Sequence, residues 1–304
     1  MSQIVDFHSH LFSHAFFEAL AQGSSLAGST PEKIERVCEE AGIQPPSSRL
    51  TEHVATWLSE LDAHGVQHMV TFASVPEEAE VVAQAVRLSA DRLSGLSVLD
   101  PRAPQAVERV ADWVDGLGLR GVVLFPALHG YRVDDPDLAP VFDALEERGA
   151  LVVVHCGLLS IPLRDRFGYR RPQDLTLANP LFLVPVANRH RRARFVVPHM
   201  GAGMFRETLM LGSQCENVFV DTSSSNGWIA TQPAPLTLAD ALQRVLGVFG
   251  PERVLFGTDS SVLPRGWRRD VLVSQREALG SIDVSESDRA LIFGGNATRL
   301  LLRD

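Results

Sequence analysis

Lysine is nearly missing from this chain: of its 28 basic residues only Lys33 is a lysine, the rest being arginine. A Schiff base on any other residue is thereby excluded. The formal net charge is −9, which argues against nucleic acid or an acidic membrane surface as partner. No apolar run reaches the roughly 18 residues of a membrane span. The start of the chain also lacks a basic stretch followed by an apolar core, so the cytoplasm is the expected location. Cysteine is scarce. Three residues, an odd number, make no disulfide framework, and reduced thiols are expected. No internal repeat and no long linker divides the 304 residues, so one unit over 1–304 is expected.

What the chain does have is a series of short apolar runs bounded by turn residues: Ile4–His10, Val66–Ser74, Leu93–Asp100, Gly121–Pro126, Leu151–Gly157, Phe195–Gly201, Val218–Ser223 and Val254–Ser260. Each precedes a stretch with helical character. Most are continuously apolar rather than alternating, as strands covered on both faces are. Eight β/α units predict a (β/α)8 TIM barrel, whose typical length of roughly 250 residues leaves about fifty for insertion. An open doubly wound sheet would carry a glycine-rich phosphate turn after its first strand, and His8-Ser9-His10-Leu11-Phe12 stands there instead. The segment 11–50 is broken by Gly23-Ser24-Ser25, Gly28-Ser29-Thr30-Pro31 and Pro45-Pro46-Ser47-Ser48 around a helix near Glu32–Ala41. It reads as an inserted helical segment after strand one, beside the active-site mouth.

In such barrels the active site lies at the C-terminal ends of the strands. Strand one ends in His8 and His10, strand five in His155, strand six in His199 and strand eight in Asp259. All five are metal-ligand or proton-transfer types. His8 and His10 are spaced i, i+2 and so project from one strand face, a chelating pair that needs further ligands from other strands.

With these placements the chain resembles the amidohydrolase superfamily, in particular the subgroup related to aminocarboxymuconate semialdehyde decarboxylase. The resemblance runs through Asp6-Phe7-His8-Ser9-His10, Val154-His155-Cys156-Gly157, Pro198-His199-Met200-Gly201-Ala202-Gly203, Phe256-Gly257-Thr258-Asp259 and Gly294-Gly295-Asn296-Ala297. It implies one divalent metal ion held by His8, His10, His155 and Asp259, zinc first, with manganese or iron as alternatives. It implies His199 as the acid/base beside that ion. Binuclear members bridge two metals with a strand-four lysine; here Val123 occupies that place in Gly121-Val122-Val123-Leu124-Phe125-Pro126. A mononuclear site is therefore expected, with Asp259 also able to accept a proton from bound water.

Three readings follow. The first is a hydrolase that uses metal-bound hydroxide on an amide, ester or lactone of a small organic acid. The alternative is a non-oxidative, metal-dependent decarboxylase of an unsaturated or aromatic carboxylic acid, although Met200-Gly201-Ala202-Gly203 departs from the His-Gly-Gly-Gly run of the muconate decarboxylase. The third, a silent scaffold, predicts the loss of a proton-transfer group, and none is missing. Substrate contacts are expected from His129 and Arg132 after strand four, from Arg164 in the arginine-rich loop that also holds Arg166, Arg170 and Arg171, and from Ser223 in the run Ser223-Ser224-Ser225 after strand seven. His53, His64 and His68 read as structural or surface residues. Barrel helices commonly serve as dimer surfaces, so a homodimer is admitted with no face singled out.

Overall fold

Strands that are apolar on both sides need cover on both sides, and the chain supplies it by alternating strands with helices. The computed structural model describes residues 3–170, 173–223 and 226–301. β1 (Ile4–His10) leads to α1 (His14–Gly23), α2 (Thr30–Ala41) and α3 (Leu50–His64), and β2 (Val66–Ala73) to α4 (Ala79–Leu88). β3 (Leu93–Val98) is followed by α5 (Ala106–Ala111), and β4 (Gly121–Leu124) by α6 (Pro126–His129) and α7 (Ala139–Glu147). β5 (Leu151–Val154) precedes α8 (Pro162–Arg166) and α9 (Leu183–Arg189), and β6 (Arg194–Val197) precedes α10 (Phe205–Gln214). β7 (Val218–Asp221) and α11 (Leu238–Phe249) are followed by β8 (Val254–Leu255), α12 (Arg269–Ser281), α13 (Glu286–Ala290) and α14 (Asn296–Leu301).

The eight strands pair in parallel in sequence order, giving a nearly closed (β/α)8 barrel as expected. The seam is made by Phe7 N–H on Phe256 O (2.9 Å), Asp259 N–H on His8 O (2.8 Å) and His10 N–H on Ser260 O (2.8 Å). Side chains such as Val5, Phe7, Phe72, Val123 and Val153 fill the interior, and Leu300 and Leu301 of α14 join that cluster. Burying a ring such as Phe7, fully enclosed, stabilises the fold by about 2–3 kcal/mol. A larger apolar layer packs the outer strand faces against the helices.

Two details position the mouth. The β1–β2 register shifts between Asp6 and Ser9. That irregularity changes the phase of the strand, so Val5 and Phe7 join the interior cluster while His8 and His10 line the cavity above it. The segment after β1 forms α1 and α2, whose Phe16, Phe17, Leu20 and Val37 pack with Leu163 and Phe167 of the loop after β5. Gln44 N–H also donates to Leu263 O at 2.7 Å, tying the segment to the loop after β8.

Most strands stop earlier than their apolar runs. In β6 Pro198 ends the ladder, and His199 (φ 57°) and Met200 (φ 52°) turn into the left-handed region. In β8 only Val254 and Leu255 pair with β7, because Phe256 N–H turns to Ile292 O at 3.0 Å. His155, His199 and Asp259 thus sit just past the last ladder residues, where the chain is free to aim them.

Candidate active site

The two β1 histidines are oriented from behind. His8 Nδ1 lies 2.8 Å from Asp221 Oδ2, and His10 Nδ1 lies 2.7 Å from Ser74 Oγ. With those nitrogens engaged, both Nε2 atoms turn toward Asp259 Oδ1, at 3.8 Å for His8 and 3.2 Å for His10. The three residues bring ligand atoms within 4.8 Å of one another, a spacing one cation can bridge. Asp259 sits at φ 60°, a conformation costing an aspartate about 1–3 kcal/mol. Its N–H bond to His8 O holds it there. Burial would raise the Asp259 carboxyl, but hydrogen bonding from His10 and the charges of His10, His8 and His199 hold it well below the usual carboxylate range.

Asp221, fully buried at the end of β7, organises the other half. Its Oδ1 accepts from His199 N–H (3.0 Å), from Ser223 N–H (2.9 Å) and from the Ser223 hydroxyl. Burial opposes ionisation there, and the charge and hydrogen bond of His8 together with His199 and Ser223 outweigh it, holding the carboxyl at about 2. Ser223 has one hydroxyl proton and gives it to Asp221, so at 2.7 Å its Oγ must accept from His199 Nδ1. His199 Nδ1 also lies 3.2 Å from the Ser223 carbonyl, which can only accept. Both His8 and His199 therefore carry their proton on Nδ1. His199 presents an unprotonated Nε2, and burial followed by the charge on His8 keeps its pKa below the usual imidazole range.

His155, directly after β5, stacks on Phe125 at 5.3 Å and meets His199 edge-on at 5.3 Å. Burial, then His199 and His8, push its pKa well below the ordinary value. It stays neutral, the form that can ligate a metal. It lines the same cavity as the trio but is not part of the tight group of ligand atoms. For His8 burial pulls the pKa down, yet Asp221, Asp259 and Asp6 together hold it above the usual range. A site where carboxylates attract a proton to a free imidazole nitrogen also attracts a metal cation to the same lone pair. The donor set fits one divalent ion, His8, His10 and Asp259 around it and His155 at the cavity wall.

Asp6 is the residue that reading strand ends did not bring out. Its carboxylate accepts from His8 N–H (3.1 Å), Thr258 N–H (3.0 Å), the Thr258 hydroxyl and Trp267 Nε1–H (2.8 Å), locking β1 to the chain after β8. Burial still raises it to about 6 against those bonds. Its signal was the acid two residues before His8.

His8, His10, His155, His199 and Asp259 line a cavity of about 870 Å³, with Phe12, Phe72, Phe125 and Trp228 among its walls. Arg164 is among the lining residues. His129, Arg132 and Ser223 are not in the lining. Arg132 instead pairs with Asp134 at 2.7 Å and lies over the Phe182 ring. His129 is turned beneath Phe125 and Tyr131, and Ser223 faces the histidines from behind. Arg171, Ser224 and Ser225 lie outside the described residues. His53 Nε2 donates to Leu11 O, and His68 donates from Nδ1 to Asp91 O and meets Ser94 Oγ through Nε2, both structural roles. All three cysteines are buried free thiols.

The amidohydrolase family model matches residues 5–303. The chain belongs to the amidohydrolase family. No curated protein matches it. Among solved structures, this amidohydrolase is similar to 5-carboxyvanillate decarboxylase from Sphingomonas paucimobilis, with 18% identity, 99% of each chain covered and a TM-score of 0.68. It is similar to a probable 2-pyrone-4,6-dicarboxylic acid hydrolase from Acinetobacter baumannii crystallised with citric acid: 16% identity, 98% of this chain and 99% of that one, TM-score 0.60. It is also similar to a zinc-bound amidohydrolase from Burkholderia multivorans, with 18% identity, 99% of each chain covered and a TM-score of 0.65. At these identities the likeness establishes the shared barrel.

Proposed function

We propose that this amidohydrolase is a mononuclear metal-dependent hydrolase of an amide, ester or lactone of a small organic acid. His8, His10, His155 and Asp259 would hold the ion, which supplies Lewis acidity and lowers the pKa of a bound water to about 7. The observation that carries the reading is the bare Nε2 of His199, presented to the cavity by the chain Asp221–Ser223–His199. A neutral imidazole with its free lone pair facing substrate is a base ready to take a proton. When water adds to the substrate carbonyl, His199 Nε2 takes its proton, and the resulting imidazolium is stabilised through Ser223 by the buried Asp221 carboxylate. His199 then returns that proton to the departing oxygen or nitrogen, leaving the product acid and an alcohol or amine. Asp259 would hold the ion with His8 and His10, its Oδ1 lying 3.2 Å from His10 Nε2.

The second reading, decarboxylation of an unsaturated or aromatic acid, is supported by the aromatic walls of the cavity, which fit a planar ring. It needs His199 to begin as the imidazolium that protonates carbon. Screening the zinc-loaded protein against lactones and esters of small carboxylic acids, and in parallel against aromatic acids for carbon dioxide release, tests the choice. Turnover of a lactone or ester is expected; carbon dioxide release alone would overturn it.

A further inference from the structure

Four arginines reach the cavity: Arg164, Arg166, Arg265 and Arg268. Arg268 is committed to Asp270 at 2.6 Å, and Arg164 lies over the Tyr169 ring at 4.5 Å. Arg166 and Arg265 both lack a carboxylate partner among the described residues; Arg265 is the one on the chain after β8, its one bond running from Nη2 to Ser261 Oγ at 2.9 Å. An unpaired guanidinium at the wall of a ligand-sized cavity is a carboxylate fork waiting for a partner.

The loop that carries Arg265 is unusually well braced. Leu263 O accepts from Gln44 N–H at 2.7 Å, and Gly266 N–H donates to Val262 O at 3.0 Å. Trp267 gives its N–H to Glu60 at 3.1 Å and its Nε1–H to Asp6 at 2.8 Å. Arg268 N–H donates to Ser260 Oγ at 3.0 Å. The backbone at Arg265 is therefore held beside the end of β8, and the exposed guanidinium, anchored at Nη2 by Ser261, feels the charges of Arg268, Asp259 and Asp270. Rigid presentation means that little ordering entropy is lost when a ligand's carboxylate is captured. The inserted segment, through Gln44, is part of this brace.

We infer that Arg265 is a specificity-determining residue that binds an ionised carboxylate of the substrate on the β8 side of the cavity. The substrate is then an acid whose carboxylate lies apart from the bond that reacts. This deepens the proposed function, resting on the same cavity, but its test needs no turnover. Benzoate and isophthalate are the probes: each can place one carboxylate at the metal, and only isophthalate has a second for Arg265.

Calorimetric titration of zinc-loaded wild-type protein is expected to show isophthalate binding about tenfold tighter than benzoate, the worth of one hydrogen-bonded charge pair. Arg265→Gln should abolish that preference while leaving benzoate affinity and zinc content unchanged, and Arg269→Gln, outside the lining, should keep it. Arg265→Lys, which retains charge without the fork, should keep only part of it, and decides the matter if the glutamine variant does not fold. A wild type without preference, a preference surviving in Arg265→Gln, a full preference in Arg265→Lys, or equal weakening of both probes overturns the inference. A preference that depends on Arg265 in a protein that releases carbon dioxide leaves the inference standing and removes only the hydrolytic reading.

Discussion

Replacing Asp221 with asparagine probes the proton arrangement on which the site depends. The wild-type carboxylate serves four donors: His8 Nδ1–H, His199 N–H, Ser223 N–H and the Ser223 hydroxyl. Asparagine has one carbonyl oxygen. If that oxygen keeps the three donors at Oδ1, the amide NH2 faces His8 Nδ1, and two donors cannot meet in a buried place. His8 must then move its proton to Nε2, the atom that faces Asp259 and the metal position. The imidazole becomes a ligand only by reversing that tautomer. A charge-assisted hydrogen bond is worth about 1.5–3 kcal/mol, and loss of such an orienting partner typically costs 10- to 100-fold in metal affinity. Zinc affinity, measured by competition with a chromophoric chelator, should fall by about that factor in Asp221→Asn. Activity should recover only partly at saturating zinc, because His199 loses its support as well. Unchanged zinc affinity in a folded Asp221→Asn protein would refute the assignment of tautomers.

His199→Asn should keep most of its zinc and lose about 10² to 10⁴ in rate, the usual worth of general acid/base catalysis; parallel loss of metal would make His199 a ligand. Elemental analysis should find about one divalent ion per chain, absent from His8→Ala and His155→Ala, and two tightly held ions would contradict the single site. Glu78, buried and accepting from Ser13 N–H, Ser13 Oγ–H and Ser74 N–H, is raised from 4.5 to about 7 by burial against those bonds. A carboxyl raised in the fold stabilises it below the unfolded value of 4.5 and loses that contribution as pH climbs through about 7, about 3 kcal/mol in all. Urea unfolding should therefore show the advantage of wild type over Glu78→Gln shrinking by about 2.5 kcal/mol between pH 5 and pH 8; parallel pH profiles would refute it.

The barrel and most of the site were legible because both leave local marks. Strands buried on two faces are runs such as Leu151-Val152-Val153-Val154, and the residues that follow them project at the barrel mouth. That is why His8, His10, His155, His199 and Asp259 stand out in the sequence as strand-end residues. The strand ends themselves were placed too late in β6 and β8, because a left-handed histidine after a proline is not marked by hydropathy. The supporting groups were hidden for a different reason. Asp6 meets Trp267 and Thr258 across the whole chain, and Ser223, expected as a substrate contact, touches the two imidazoles of His8 and His199. Such partners are chosen by the closed ring and leave no spacing in the sequence. Arg132 shows the converse: an arginine beside the mouth satisfied by its own neighbour Asp134.

The measurement that bears most directly on the central claim is the fate of solvent oxygen. Under the proposed hydrolysis, with His199 activating water for attack on a carbonyl carbon, zinc-loaded enzyme turning over its best substrate in ¹⁸O-labelled water should place one labelled oxygen in the product carboxylate. Carbon dioxide release with solvent deuterium at carbon, and no oxygen label in the organic product, would contradict the account.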